Sequence, residues 1–238
     1  SPFNSQVKIF KDKVFVVDSE NTLNCYSIKD GSKLWQLKTE NSFINSPKKL
    51  SIVLKNNIVY FNNSLGDITA VDIDNGSLKW QISTQNSEIY EEIFNFKTSE
   101  IIAGHKSILF SNNKNEIYSV DQMSGTINWK QKVNSDLRPT LIGNVVLTIS
   151  SEGYLYIIEN ETGNIIRVTD IFNRFKDKKR KNIKPIGFLV GINDIFLTTD
   201  KGSLLVIDKS TGKTKSIFKF SKGKLLSLIH ISEPTRRS

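Results

Sequence analysis

Few side chains in this sequence have the type and spacing that catalysis or metal binding requires. The 238 residues include one cysteine, Cys25, and two histidines, too few for an internal disulfide or a Cys/His zinc site. His105 stands alone in a turn, without a cysteine or a carboxylate cluster beside it, and supports neither a triad nor a metal. We expect Cys25 to be a small buried thiol rather than a nucleophile, because small or aliphatic residues fill its place in the repeats below: Ala70, Ser119, Ile157 and Val206.

A short acidic motif at Asp72-x-Asp74-x-Gly76 has the spacing that opens a calcium loop. The position that would have to supply a bidentate glutamate is Ser83, and we therefore reject a calcium site. The first aspartate recurs as Asp121 and Asp208. A carboxylate repeated in this way is expected to hold a turn through bonds to backbone N–H groups. A metal site is accordingly predicted to be absent.

Basic residues are concentrated in one stretch, and this stretch is the strongest candidate for a binding surface. It follows Ile171, Phe172 and Phe175, in a chain whose net charge is +9. Contact with an anionic lipid surface, an acidic partner or nucleic acid is one interpretation; a solvated insertion is the other. The remaining lysines are scattered, as in an AT-rich coding sequence, and we expect no nucleic acid partner. The basic residues are Arg174, Lys176, Lys178, Lys179, Arg180, Lys181 and Lys184.

The whole chain is organised by a repeat that is anchored on a glycine. Successive anchors are 38 to 49 residues apart, which is the length of a propeller blade. Ten residues before each anchor stands Gly or Asn, the residues that enter positive φ at least cost. Four residues after the first three anchors stands a tryptophan, and Arg167 and Ser216 follow the last two. The anchors are Gly31, Gly76, Gly125, Gly163 and Gly212, and the tryptophans are Trp35, Trp80 and Trp129.

Each repeat contains short runs of β-branched and aromatic residues separated by turns, which predicts four antiparallel strands and few helices. Repeated four-stranded units predict an all-β protein, a β-propeller of about five blades from a larger ring. The tryptophans are expected to fill the spaces between blades. The predicted blades lie near residues 7–38, 50–84, 101–132, 140–170 and 188–219, within a propeller region 1–225.

The repeat resembles the pyrroloquinoline-quinone-type propeller repeat, with Gly or Asn, two hydrophobic positions, Asp, Ser/Thr-Gly and Trp in that order. Residues 66–80 carry it best, followed by residues 115–129. Within this group the chain is similar to the outer-membrane-protein assembly factor BamB. That resemblance implies a non-enzymatic scaffold without cofactor, a lipoprotein on the periplasmic side of the outer membrane. It also implies docking on the POTRA domains of the barrel-assembly protein BamA.

Two alternatives stay open beside the BamB-like scaffold. One is a fragment of a quinoprotein dehydrogenase, although the vicinal cysteine pair typical of those enzymes is absent here; the other is a generic ligand-binding propeller of the cell envelope. The resemblance to BamB implies a partner contact at Leu137-Arg138, where a similar Leu-Arg step precedes a blade. The next contact in that family is acidic, whereas this chain has the basic residues 173–184.

Two further segments have unusual composition. Residues 87–96, SEIYEEIFNF, are acidic and aromatic, and form either a partner contact or a loop that packs on a blade. Residues 226–237 read LSLIHISEPTRR, which looks like a translated sequencing-library adapter. We expect residues 226–238 to be non-native, and native sequence to extend beyond both ends of the chain.

Overall fold

The fold is described from a computed structural model, and the description covers residues 2–40, 49–84, 99–112 and 115–220. The chain divides after Lys132 into two compact units. The first unit contains three four-stranded sheets, called sheets 1 to 3, one for each of the first three repeats. Their strands are β1 (Lys8–Phe10), β2 (Lys13–Val17), β3 (Thr22–Ser27) and β4 (Lys33–Lys38); β5 (Ile52–Lys55), β6 (Ile58–Asn62), β7 (Ile68–Asp72) and β8 (Leu78–Ile82); and β9 (Ile102–Ala103), β10 (Ser107–Ser111), β11 (Glu116–Asp121) and β12 (Ile127–Lys132).

The second unit contains sheets 4 and 5, and between them one helix of four residues, α1 (Asp177–Arg180). The fifth sheet begins at Pro185, whereas the repeat pattern placed its start at Phe188. In the described ranges no helix is both long and apolar enough to cross a membrane. The strands are β13 (Thr140–Ile142), β14 (Val145–Ile149), β15 (Tyr154–Glu159) and β16 (Ile165–Asp170); and β17 (Pro185–Val190), β18 (Asp194–Thr199), β19 (Ser203–Asp208) and β20 (Thr214–Lys219).

Every sheet is an antiparallel meander in which each strand pairs with the next one along the chain. All five sheets also share one irregularity, a β-bulge in the last strand. In sheet 1, for example, Cys25 is opposite Trp35 but Tyr26 is opposite Lys33, so that Leu34 has no partner. Such a bulge bends the strand and brings two adjacent side chains toward the same side. The same shift recurs in sheets 2 to 5 just before the position of the repeated tryptophan.

The ten Gly and Asn positions singled out in the sequence all adopt positive φ, which confirms the turn prediction. The five anchor glycines have φ between 72° and 76°, and the five earlier turn residues between 59° and 88°. These angles lie in the left-handed region, where a Cβ meets the neighbouring carbonyl and only Gly and Asn are readily accommodated. The repeat is therefore specified first by its turns.

Apolar side chains from neighbouring sheets form the cores within each unit. Phe15 and Leu23 of sheet 1 pack with Val59 and Phe61 of sheet 2. The opposite face of sheet 2, with Tyr60, packs against sheet 3. In the second unit a single cluster joins sheet 4, sheet 5 and the segment between them. Period-two alternation thus gives the central strands of sheet 2 two buried faces.

Candidate functional site

The repeated aspartates hold their turns, as the sequence predicts. One carboxylate oxygen of Asp121 accepts hydrogen bonds from the backbone N–H of Met123 at 2.9 Å and of Ser124 at 2.8 Å. Asp72 accepts in the same way from Asp74 at 2.9 Å. These bonds favour the ionised form and lower the pKa of both carboxyl groups. In the described residues no group of three or more His, Cys, Asp or Glu side chains could hold a metal ion.

Two of the repeated tryptophans lie at the joints between sheets. The indole of Trp35 in sheet 1 packs directly on Gly76 in the turn of sheet 2, and Trp80 packs in the same manner on Gly125 of sheet 3. A Cβ added at Gly76 would lie 2.7 Å from the Trp35 ring. The Trp80 indole also donates a hydrogen bond of 2.9 Å to the carbonyl of Gln122. The anchor glycine thus has a second role, as the surface that receives the indole of the preceding sheet.

The joint between sheets 4 and 5 is built differently. Arg167 stands where the first three sheets have tryptophan, and its guanidinium donates to the backbone carbonyls of Ser210 and Lys209, the latter at 3.2 Å. Gly212 is faced by the side chain of Thr169 instead of an indole. A hydrogen-bonded cation therefore replaces an apolar ring at this one joint within the second unit.

Cys25 is fully buried in the core between sheets 1 and 2. Burial raises the pKa of its thiol to about 11, because the thiolate would lose its hydration. The predicted burial of this cysteine is thereby confirmed, and its surroundings are unlike those of a reactive thiol, which is exposed and has a lowered pKa.

The two residues of the Leu-Arg step differ in burial. Leu137 is buried and Arg138 is exposed. Leu137 is 7% exposed and packs in the core of the second unit. Arg138 lies on the surface, immediately ahead of Pro139 and of β13. Of the two side chains, that of Arg138 is therefore the one presented to solvent, and a partner contact at this step stays a prediction.

The basic segment between sheets 4 and 5 is a folded element with a buried underside. Ile171 and Phe172 are fully buried, and Phe175 and Ile183 are nearly so. Phe172 stacks on Gly153 so closely that a Cβ at that glycine would overlap its ring. We call residues 171–184 the basic insertion. Its charged side chains are held on a surface whose position is fixed by four apolar anchors.

The arginines of the basic insertion contact other parts of the fold, whereas most of its lysines are exposed without such contacts. Arg180 forms an ion pair with Asp170 at 2.6 Å and lies over the ring of Tyr154. Arg174 donates to the carbonyl of Lys215 at 2.9 Å, and Lys179 lies 4.6 Å above the ring of Phe175. Four further lysines, Lys176, Lys178, Lys181 and Lys184, are exposed and form neither an ion pair nor a ring contact within the described ranges.

The acidic loop at residues 87–96 and the tail at residues 226–238 lie outside the described residues, and the predictions for them remain as stated. Sequence reasoning missed the apolar anchors of the basic insertion and the change of joint at Arg167. The second had a visible signal, because the residue four after the anchor changes from Trp to Arg.

Solved structures of several other proteins have the same fold. BamB from Moraxella catarrhalis superposes with a TM-score of 0.70 at 15% identity, over 92% of this chain and 65% of that one. A quinohemoprotein alcohol dehydrogenase from Comamonas testosteroni gives 0.70 at 11% identity, over 92% and 43%. A chain of the mitotic checkpoint complex gives 0.65 at 11% identity, over 92% and 66%. These likenesses identify the five sheets as blades of a β-propeller.

The chain spans less than two thirds of the BamB and dehydrogenase chains that it resembles. The comparison with curated proteins gave no match. A family model described as "Outer membrane protein assembly factor BamB" matches residues 1–169, which is well over half of the sequence. By that match, the chain belongs to the BamB family of β-propeller proteins.

Proposed function

We propose that this chain is a non-catalytic propeller scaffold that binds protein and assists the assembly of outer-membrane β-barrel proteins. The observation that carries the proposal is the family match over residues 1–169. It is supported by how the repeated side chains are used, since the aspartates hold turns and the tryptophans join sheets. In this role the full-length protein acts on the periplasmic side of the outer membrane as a lipoprotein.

The proposed partner is the set of POTRA domains of BamA, and Arg138 is the proposed contact residue on the second unit. Its exposed position ahead of β13 allows a partner to reach it. Purified POTRA domains on a resin are expected to retain the chain, and Arg138→Glu to weaken retention at least tenfold. Lys29→Glu, an equal charge reversal at an exposed turn of sheet 1, is the matched control.

The pull-down discriminates between the proposed scaffold and other propeller functions. Equal retention of wild type, Arg138→Glu and Lys29→Glu would remove Arg138 from the contact. No retention of the wild type by POTRA domains, with the fold verified by circular dichroism, would contradict the proposed partner.

The basic insertion is proposed to face an anionic lipid surface. Its two arginines are engaged within the fold, whereas its exposed lysines remain directed to solvent. Lysine is a hydrated point charge suited to a diffuse anionic surface, whereas specific recognition of a carboxylate or phosphate favours the bidentate arginine. Each such lysine near an anionic bilayer contributes about 1 kcal/mol at moderate salt.

Co-sedimentation with vesicles tests this surface. The wild type is expected to bind phosphatidylglycerol-containing vesicles and to dissociate from them in high salt. It should not bind vesicles of neutral phosphatidylcholine. Replacing Lys176, Lys178, Lys181 and Lys184 together by glutamine should abolish binding. A control with the same change of charge is the quadruple glutamine variant at Lys29, Lys106, Lys132 and Lys213. Equal loss in both variants would mean that net charge, not this surface, is responsible.

A quinoprotein dehydrogenase fragment is the second candidate, favoured by the superposition on the alcohol dehydrogenase. This candidate requires the chain to bind pyrroloquinoline quinone. Titration with the quinone, followed by quenching of tryptophan fluorescence and by quinone absorbance after gel filtration, distinguishes the two. Retained quinone would favour the dehydrogenase. A generic envelope propeller would retain neither the quinone nor POTRA domains.

A further inference from the structure

An open pocket lies at the joint between sheets 4 and 5, and the sequence pattern did not predict it. Its volume is about 430 Å³, within the range of small-molecule sites. It lies where Arg167 replaces the tryptophan of the earlier sheets. Because the guanidinium reaches across to the turn of sheet 5, it leaves unfilled the space that an indole would occupy.

The walls of this pocket are aliphatic and come from sheet 4. Leu147, Ile157 and Arg167 share one row across the sheet, since Leu147 pairs with Ile157 and Ile157 pairs with Arg167. Ile166 is the unpaired bulge residue, and a bulge turns its side chain toward the same side as its neighbour. With Ile142 and Val145 these residues give an apolar lining, and Ile166 is 59% exposed at the opening.

The charges at the pocket are both positive. Arg167 and Lys209 line it, and within the described ranges neither forms an ion pair with a carboxylate. The Lys209 ammonium donates to the carbonyl of Gly191 at 3.2 Å. Of the five N–H groups of a guanidinium, Arg167 uses two on backbone carbonyls, and its buried Nε has no hydrogen-bond partner. The site thus has spare donors and uncompensated charge beside an apolar wall.

We propose that this pocket binds a single-chain aliphatic carboxylate, such as a free fatty acid. The aliphatic tail lies against Leu147, Ile157 and Ile166, where it is removed from water. The carboxylate accepts charge-assisted hydrogen bonds from Arg167 and Lys209 and neutralises them. This ligand class matches the pocket because neither a purely apolar nor a strongly polar molecule would satisfy both parts.

Isothermal titration of the full chain with dodecanoate, below its micellar concentration, tests the proposal. One equivalent is expected to bind the wild type. Arg167→Trp restores the residue used in sheets 1 to 3, fills the pocket and should abolish binding. Arg167→Gln keeps the space but removes the charge, and should weaken dodecanoate at least tenfold while leaving dodecanol unchanged. Lys213→Gln, an exposed lysine in the same turn, is the matched control.

A second variant that fills the pocket keeps the test valid if Arg167→Trp does not fold. Ile166→Trp places the ring at an exposed bulge position and should also abolish binding, with an unchanged thermal midpoint. The proposal is overturned if either folded tryptophan variant binds as tightly as the wild type. It is also overturned if dodecanol and dodecanoate bind the wild type equally, or if several equivalents bind regardless of residue 167.

Discussion

A single glycine position carries two constraints in this repeat, one on the backbone and one on packing. Gly31 and Gly76 have nearly the same φ, 72° and 74°. A Cβ at Gly31 would meet nothing within 4 Å, whereas one at Gly76 would collide with the Trp35 ring. The two positions therefore separate the cost of positive φ from the cost of a blocked joint.

Substitution of each glycine by alanine measures both costs. Gly31→Ala is expected to lower the free energy of unfolding by about 1–2 kcal/mol, the cost of left-handed backbone. Gly76→Ala should lose about 1–3 kcal/mol more, because the indole must move. Urea denaturation followed by circular dichroism gives both values. Equal losses at the two positions would show that the Trp35 contact is not restrictive.

Turn residues were the most predictable part of this protein, and the reason is steric. Only Gly and Asn enter positive φ readily. The turns at Gly66 and Asn115 can therefore be predicted from the sequence alone. Arg167 was not interpretable in the same way. Its sequence position shows that the tryptophan is missing, but its bonds to the carbonyls of Lys209 and Ser210 depend on the approach of another sheet.

At the scale of elements, the basic insertion carries exposed charged side chains on a segment that buried apolar side chains hold in place. Composition predicted the positive charge of this segment. It did not exclude a solvated loop, because the buried side chains follow no regular periodicity. Ile171, Phe172, Phe175 and Ile183 are spaced by one, three and eight residues. Their burial becomes clear only once the turn containing Gly153 lies beneath them.

Removing the central anchor should loosen the basic insertion. Phe172→Ala deletes a fully buried ring that stacks on Gly153 and contacts Phe175. The expected loss is about 3–5 kcal/mol in the free energy of unfolding. Hydrogen exchange should then accelerate in residues 171–184. Phe218→Ala, at a half-exposed ring of β20, is the control that should change stability little; comparable losses would contradict the anchoring role.

Across the whole molecule, buried tyrosines make stability sensitive to high pH. Tyr60 is fully buried, and burial raises the pKa of its hydroxyl to about 12. An unfolded tyrosine ionises near pH 10. Between these values the unfolded state loses its proton first, so that stability falls as the pH rises from about 10 toward 12. The same direction holds for Tyr118, whose pKa burial also raises.

Urea denaturation at pH values from about 8 to 11 tests this dependence. Tyr60→Phe keeps the ring but removes the ionisable group, and should flatten the decline above pH 9 or so. The variant also loses the hydrogen bond to the carbonyl of Gln122, which lowers stability equally at every pH. Parallel curves for wild type and variant would exclude Tyr60 as a source of the alkaline loss.

The repeated joint has an evolutionary consequence. Trp35 on Gly76 and Trp80 on Gly125 make the same contact between an indole ring and a glycine, so that a gene duplication which copies sheet 2 in tandem would carry both sides of that contact with it. A copy of sheet 4 would bring Arg167, which donates to backbone carbonyls of the following turn instead of placing a ring on a glycine. Blade duplication within the first unit would therefore repeat an apolar contact, whereas duplication of sheet 4 would repeat a hydrogen-bonded one.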